Sequence, residues 1–117
     1  QIENQFDRPY LKPEDIGYEI VAYMTAITTI ISQSATVPYG VHVMMNGIEQ
    51  AIAVAHSTKA SWIRVYELAN AYISNSGYIE AAGPKALRYR KMLGAEEVML
   101  FGDFHLRLSV TGQQFLC

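Results

Sequence analysis

One cysteine occurs in the chain, and it is the last residue, Cys117. A disulfide within the chain is therefore excluded, and a reducing compartment is weakly favoured. Charge of one sign is not in excess: Lys and Arg number 9 against 11 Asp and Glu, a net charge of −2. That balance offers no electrostatic footprint for nucleic acid or for an anionic membrane surface. Long apolar runs are missing too. The most apolar stretch, Ile20 to Ser32, is too short to span a bilayer and is interrupted by Tyr23, Thr25, Thr28 and Thr29. No leader pattern of charged then apolar residues is visible at Gln1, which is not a natural start, and the cytoplasm is expected by default rather than by deduction. The phosphate-cradling G-x-x-x-x-G-K-[ST] loop, G-x-G-x-x-G and G-x-S-x-G are all absent. No Cys/His spacing suggests a zinc site, and no metal or cofactor is assigned.

What is present is a chain of 117 residues, 50% hydrophobic and 17% charged. This composition supports one packed domain and argues against disorder. A complete (β/α)8 barrel needs about 250 residues and does not fit.

Helix and strand alternate along the chain. Pro13 opens a first helix, with Glu14 and Asp15 at its positive end. Ile16, Ile20, Met24, Ile27 and Ile31 recur on one helical face. Pro38 prevents continuation, and residues 37–45 read as a strand. Asn46 is placed to cap a second helix with Glu49 reaching back, and Ile48, Ala51, Ile52 and Ala55 form its buried stripe. Residues 61–67 are a second strand. A third helix runs from Gly83-Pro84 to a left-handed cap at Gly94, and residues 98–105 are a third strand. Residues 1–12 read as irregular. The expected fold class is α/β, with about three parallel strands and alternating helices. The spacing fits a barrel segment or a doubly wound sheet equally well.

Alternation along each strand places polar groups on one face: His42, Met44 and Asn46; Arg64 and Tyr66; Phe101, Asp103 and His105. Parallel sheets are normally covered on both faces, so a buried Arg, Asp and His need partners. Asn46, Glu67, Asp103 and His105 also lie toward the C-terminal strand ends, where α/β folds bind ligands. The structural alternative, of about equal weight, is an Arg64–Asp103 ion pair that serves stability alone. His42, in the N-terminal half of its strand, reads as a satisfied core histidine, and His56 as a helix-end cation without chemistry.

Residues 68–82 are long for a link between strand and helix. Tyr72-Ile73-Ser74 and Tyr78-Ile79-Glu80 flank the turn signal Asn75-Ser76-Gly77. The expected hairpin is either a lid contributing Asn70, Ser74 or Glu80, or a cover for apolar surface built on Tyr72 and Ile79. The basic cluster Lys85, Arg88, Arg90 and Lys91 reads as the solvated face of a helix.

Six segments, in order, resemble the BtpA/SgcQ family of (β/α)-barrel proteins. They are Glu3-Asn4-Gln5-Phe6-Asp7-Arg8-Pro9, Gly40-Val41-His42-Val43-Met44-Met45-Asn46, Ile63-Arg64-Val65, Gly77-Tyr78-Ile79-Glu80, Leu87-Arg88-Tyr89-Arg90 and Gly102-Asp103-Phe104-His105. The resemblance covers residues 1–107 and departs where Arg107 and Leu108 replace an expected Lys and His. It implies a partial (β/α)8 TIM barrel over residues 1–107 and a divergent tail over 108–117: a truncated or frame-shifted middle slice.

The resemblance further implies a mouth that gathers Glu3, Asn4, Asp7, Asn46, Arg64, Asp103 and His105. In an enzyme, Asp103 or His105 would act as acid or base, Arg64 would hold an anionic group and Asn46 would orient it. The implied substrate is a small phosphorylated sugar- or nucleoside-like molecule, with this chain not catalytically complete. The alternative is a non-catalytic biogenesis factor, of the photosystem I type in cyanobacterial relatives. As an isolated slice the chain is expected to self-associate through its open sheet edges. Cys117 is expected to be reactive on a loose tail.

Overall fold

A computed structural model describes residues 1–103 of the chain. The readings made for His105, for the tail and for Cys117 lie outside the described residues. The element order is β1 (Ile2–Glu3), a 3-10 turn (Pro13–Asp15), α1 (Tyr18–Ser32), β2 (Gly40–His42), α2 (Ile48–Thr58), β3 (Trp62–Val65), β4 (Tyr72–Ser74), β5 (Gly77–Ile79), α3 (Gly83–Leu93) and β6 (Met99–Gly102).

Four strands pair in the order β1-β2-β3-β6, and every pairing is parallel. The sequence reading had three strands and an irregular start, but Ile2 and Glu3 pair with Val41 and His42 to add a fourth. The sheet order follows chain order. In a doubly wound sheet the order reverses at a switch point. Here Val41, Ile63, Val65 and half-buried Leu100 share one core with residues of all three helices, among them Met24, Ile52 and Ala86. The opposite face carries His42, Trp62, Arg64, Met99 and Phe101. Sequential parallel strands with helices on one side form the arrangement of a partial α/β barrel.

Several boundaries differ from the sequence reading. Gly17 is extended (φ −76°, ψ 165°), so the first helix splits into a 3-10 turn and α1 proper. The face of α1 is rotated as well. Met24 and Thr28 are its buried residues, whereas Ile27 is 50% and Ile31 39% exposed. The physical reason is that the i, i+4 row through Ile20, Met24 and Thr28 faces the core, and none of the described residues buries the neighbouring apolar row. Strand β2 is shorter than the expected 37–45 at both ends: it begins at Gly40, and the chain already turns over residues 44–46, with Asn46 at φ 58°. Asn46 does not cap α2; Gly47 occupies that position without a side-chain cap.

Other expectations hold. Ile48, Ala51, Ile52 and Ala55 are all buried on α2. Gly94 ends α3 in the left-handed region at φ 71°, its N–H donating to the carbonyls of Arg90 and Lys91. Lys85, Arg88 and Lys91 are exposed, while Arg90 donates to the Val98 carbonyl at 2.9 Å. The expected hairpin forms as antiparallel β4 and β5, with Tyr72 opposite Ile79. It closes a second, small core of Met45, Tyr72 and Ile79, against which Tyr10 and Tyr66 pack. No helix among the described residues is long and apolar enough to cross a membrane.

Candidate functional site

The polar face of the sheet holds two linked pairs. Arg64 and Asp103 extend from adjacent strands, and the sequence separates them by 39 positions. Arg64 Nε donates to Asp103 Oδ1 at 3.1 Å and Nη2 to Oδ2 at 2.7 Å, a side-on bidentate pair. Asp103 raises the pKa of Arg64 through this bond, ahead of the opposing effect of burial. The Arg64 guanidinium also sits 5.1 Å from the Tyr66 ring centroid.

Glu3 and His42 form the second pair. They stand opposite each other in the β1–β2 register, with His42 Nδ1 3.0 Å from Glu3 Oε2. Burial lowers the pKa of His42 despite the bond and charge of Glu3. The ring is therefore neutral at neutral pH, and the contact is a hydrogen bond donated by Nδ1–H rather than an ion pair. Burial acts to raise the Glu3 carboxyl, but the hydrogen bonds of His42 and Gln1, with the charges of His42 and Arg64, outweigh it and lower its pKa. His42 is fully buried, and its Nε2 has no partner among the described residues. The Tyr66 ring meets the His42 ring edge-on at 4.5 Å and joins the two pairs. Burial raises the Tyr66 phenol, whose hydroxyl lies 3.3 Å from Met44 Sδ.

Above these pairs, at the C-terminal strand ends, lies a cleft of about 490 Å³. Glu3, Gln5, Arg8 and Tyr10 line it from the N-terminal segment; Met44 and Met45 from the turn after β2; Arg64 from β3 and Tyr66 just beyond it; and Tyr72, Ser74 and Asn75 from the hairpin. The hairpin is tied down by Ser76 Oγ donating to the Tyr10 carbonyl at 2.6 Å. It therefore contributes Ser74 to the cleft and also covers apolar surface through Tyr72. Asn70 does not line this cleft, and Glu80 lines a separate hollow near Lys12 and Lys85.

Asn4, Asp7 and Asn46 do not line the cleft. Asn46 is buried; its Oδ1 accepts from the Glu67 N–H at 3.2 Å and its Nδ2 donates to the Glu67 carbonyl at 3.4 Å. This locks the end of β2 to the end of β3. Asn4 Oδ1 accepts from the Met44 N–H at 2.7 Å, and Asn4 Nδ2 donates to Asp7 Oδ2 at 3.3 Å. Asn4, Asp7 and Asn46 thus shape the loops, while Glu3 and Arg64 face the cleft and Asp103 orients Arg64. Sequence reasoning missed Gln5, Arg8 and Tyr10, because they lie in a segment without periodicity. Tyr66 carried a visible signal in sharing the strand parity of Arg64.

The chain matches the BtpA family over residues 1–114. It belongs to that family. A protein of Archaeoglobus fulgidus without an assigned role is 30% identical over 109 residues, covering 93% of this chain and 43% of the relative. The photosystem I biogenesis protein BtpA of Synechocystis sp. is 31% identical over 99 residues, covering 85% of this chain and 34% of the relative. A mitochondrial protein of Caenorhabditis elegans is 30% identical over 118 residues, covering 94% and 42%. This BtpA-family chain therefore spans well under half the length of these relatives. No solved structure gives a significant match.

Proposed function

We propose that the cleft binds a small anionic, ring-bearing metabolite of the phosphorylated sugar or nucleoside class. The observation that carries this reading is the meeting of the Arg64–Asp103 and Glu3–His42 pairs, through Tyr66, beneath a cleft at the C-terminal strand ends. Tyr10, Tyr66 and Tyr72 supply flat apolar faces for a ring, and amide and hydroxyl groups of Gln5, Ser74 and Asn75 can read its substituents. Asp103 and His105 are the proposed acid–base pair, and Arg64 stabilises negative charge. Asn4, Asp7 and Asn46 position the loops that form the walls. This chain supplies binding groups of the site, and turnover belongs to the complete barrel.

Differential scanning fluorimetry with ribose 5-phosphate and adenosine 5′-monophosphate tests the reading. At least one of them raises the melting temperature saturably, and Tyr66→Ala removes the effect. If neither binds, or if binding survives Tyr66→Ala unchanged, the reading fails.

A second reading draws on the name of the Synechocystis relative, and makes the chain part of a non-catalytic biogenesis factor. Asp103→Asn and His105→Ala in a full-length family member separate the two. An assembly role survives both substitutions, and an enzymatic role does not.

A further inference from the structure

Two arginines line the cleft, and their chemistry differs. Arg64 is compensated: the Asp103 carboxylate accepts from its Nε–H and one Nη2–H and balances its charge. Arg8 has no carboxylate partner among the described residues. Its Nε donates to the Gln5 carbonyl at 3.1 Å and to the Tyr10 hydroxyl at 3.2 Å, and that hydroxyl itself donates to the Gln5 carbonyl at 2.6 Å. The guanidinium carbon lies 5.8 Å from the Tyr10 ring centroid. The Nε edge of Arg8 is therefore held by its own loop. Both Nη groups, with four N–H donors between them, make no hydrogen bond to the described residues.

We propose that Arg8, rather than Arg64, is the residue of this cleft that binds the anionic group of the ligand, and that the group is a phosphomonoester. The proposal rests on the reading of the cleft as a ligand site. A planar guanidinium with a free donor edge matches two oxygens of a phosphate at once. Carrying no carboxylate, Arg8 meets a doubly charged group with its full positive charge, whereas a phosphate at Arg64 also faces Asp103 and Glu3. The Tyr10 ring beside Arg8 gives the attached sugar or base a surface on which to rest. Ligand specificity then divides along the cleft: phosphate at Arg8, ring between Tyr10 and Tyr66, reacting end toward Arg64 and Asp103.

The test is a side-chain NMR titration of the full chain, following the arginine Nε–H and tyrosine ring signals. Arg8→Gln and Arg64→Lys assign the two arginine signals. Ribose 5-phosphate is expected to shift the Arg8 signal saturably, and ribose is not. Arg8→Gln is expected to weaken ribose 5-phosphate binding roughly ten- to hundredfold, as loss of a charge-assisted pair implies. Arg8→Lys, which keeps charge but loses the fork, should fall between. If ribose 5-phosphate shifts the tyrosine rings but moves Arg64 instead of Arg8, or binds Arg8→Gln as tightly as the wild type, the inference is overturned while the cleft reading stands. If neither ribose 5-phosphate nor adenosine 5′-monophosphate moves the tyrosines or an arginine, both fall.

Discussion

Glu3 and His42 face each other across the parallel β1–β2 ladder, and the carboxylate accepts a hydrogen bond from imidazole Nδ1 at 3.0 Å. The pair ties the N-terminal edge strand to the body of the sheet. It also places a neutral imidazole inside the fold, with the charge on the cleft side.

Acid should therefore weaken the fold. The folded-state pKa of His42 lies below its ordinary value because of burial, and that of Glu3 lies below its own because its hydrogen bonds outweigh burial. The unfolded chain takes up these protons first as the pH falls. The stability they contribute is complete above the ordinary imidazole value of 6.5. It is lost as the pH falls through the lowered values of His42 and Glu3. Urea midpoints measured across this range should fall toward acid. The upper part of the fall should flatten in His42→Gln. A midpoint that rises from neutral toward mildly acid pH contradicts the assignment.

Asp103→Asn should remove the charged half of the bidentate pair while keeping its shape. Side-chain exposures of 36% for Arg64 and 21% for Asp103 call for a discount for solvent screening. The expected loss is about 1 kcal/mol by urea denaturation. Arg64→Lys should cost a similar amount, since an ammonium cannot reproduce the fork. A double variant that costs no more than either single change would confirm that the two act on one interaction.

Thr28 is fully buried on α1, and its hydroxyl has no partner among the described residues. Thr28→Val replaces that oxygen by a methyl group of nearly the same size. Stability should rise by about 1 kcal/mol, seen as a higher thermal midpoint. A fall of similar size would show that the hydroxyl is bonded.

Self-association is expected in solution. Met99 and Phe101 are each 49% exposed on the sheet face that the helices leave bare. On α1, Tyr23 is 66%, Ile27 50% and Ile30 67% exposed, forming a second apolar stripe. Size-exclusion chromatography with light scattering should give species larger than a monomer. Ile27→Lys combined with Ile30→Glu should reduce them, and a monodisperse wild-type monomer at high micromolar concentration contradicts the expectation.

The sequence by itself determined the local elements and the polar parity. The alanine spacing of α2, the hairpin around Gly77 and the Gly94 cap follow from interactions within a few residues, so periodicity and turn chemistry reveal them. Arg64 and Asp103 were legible together because strand alternation and position are both local. Tertiary structure decided what depends on partners distant in the chain. Ile2 and Glu3 are a strand only because β2 offers its edge. Thr28 is buried and Ile27 exposed because core packing, not hydropathy, sets the rotation of α1. Asn46 serves the Glu67 backbone instead of a helix cap because the ends of β2 and β3 come together. Arg8 gains its place in the cleft from a loop without periodicity, and nothing in its neighbours along the chain marks which arginine a carboxylate will claim.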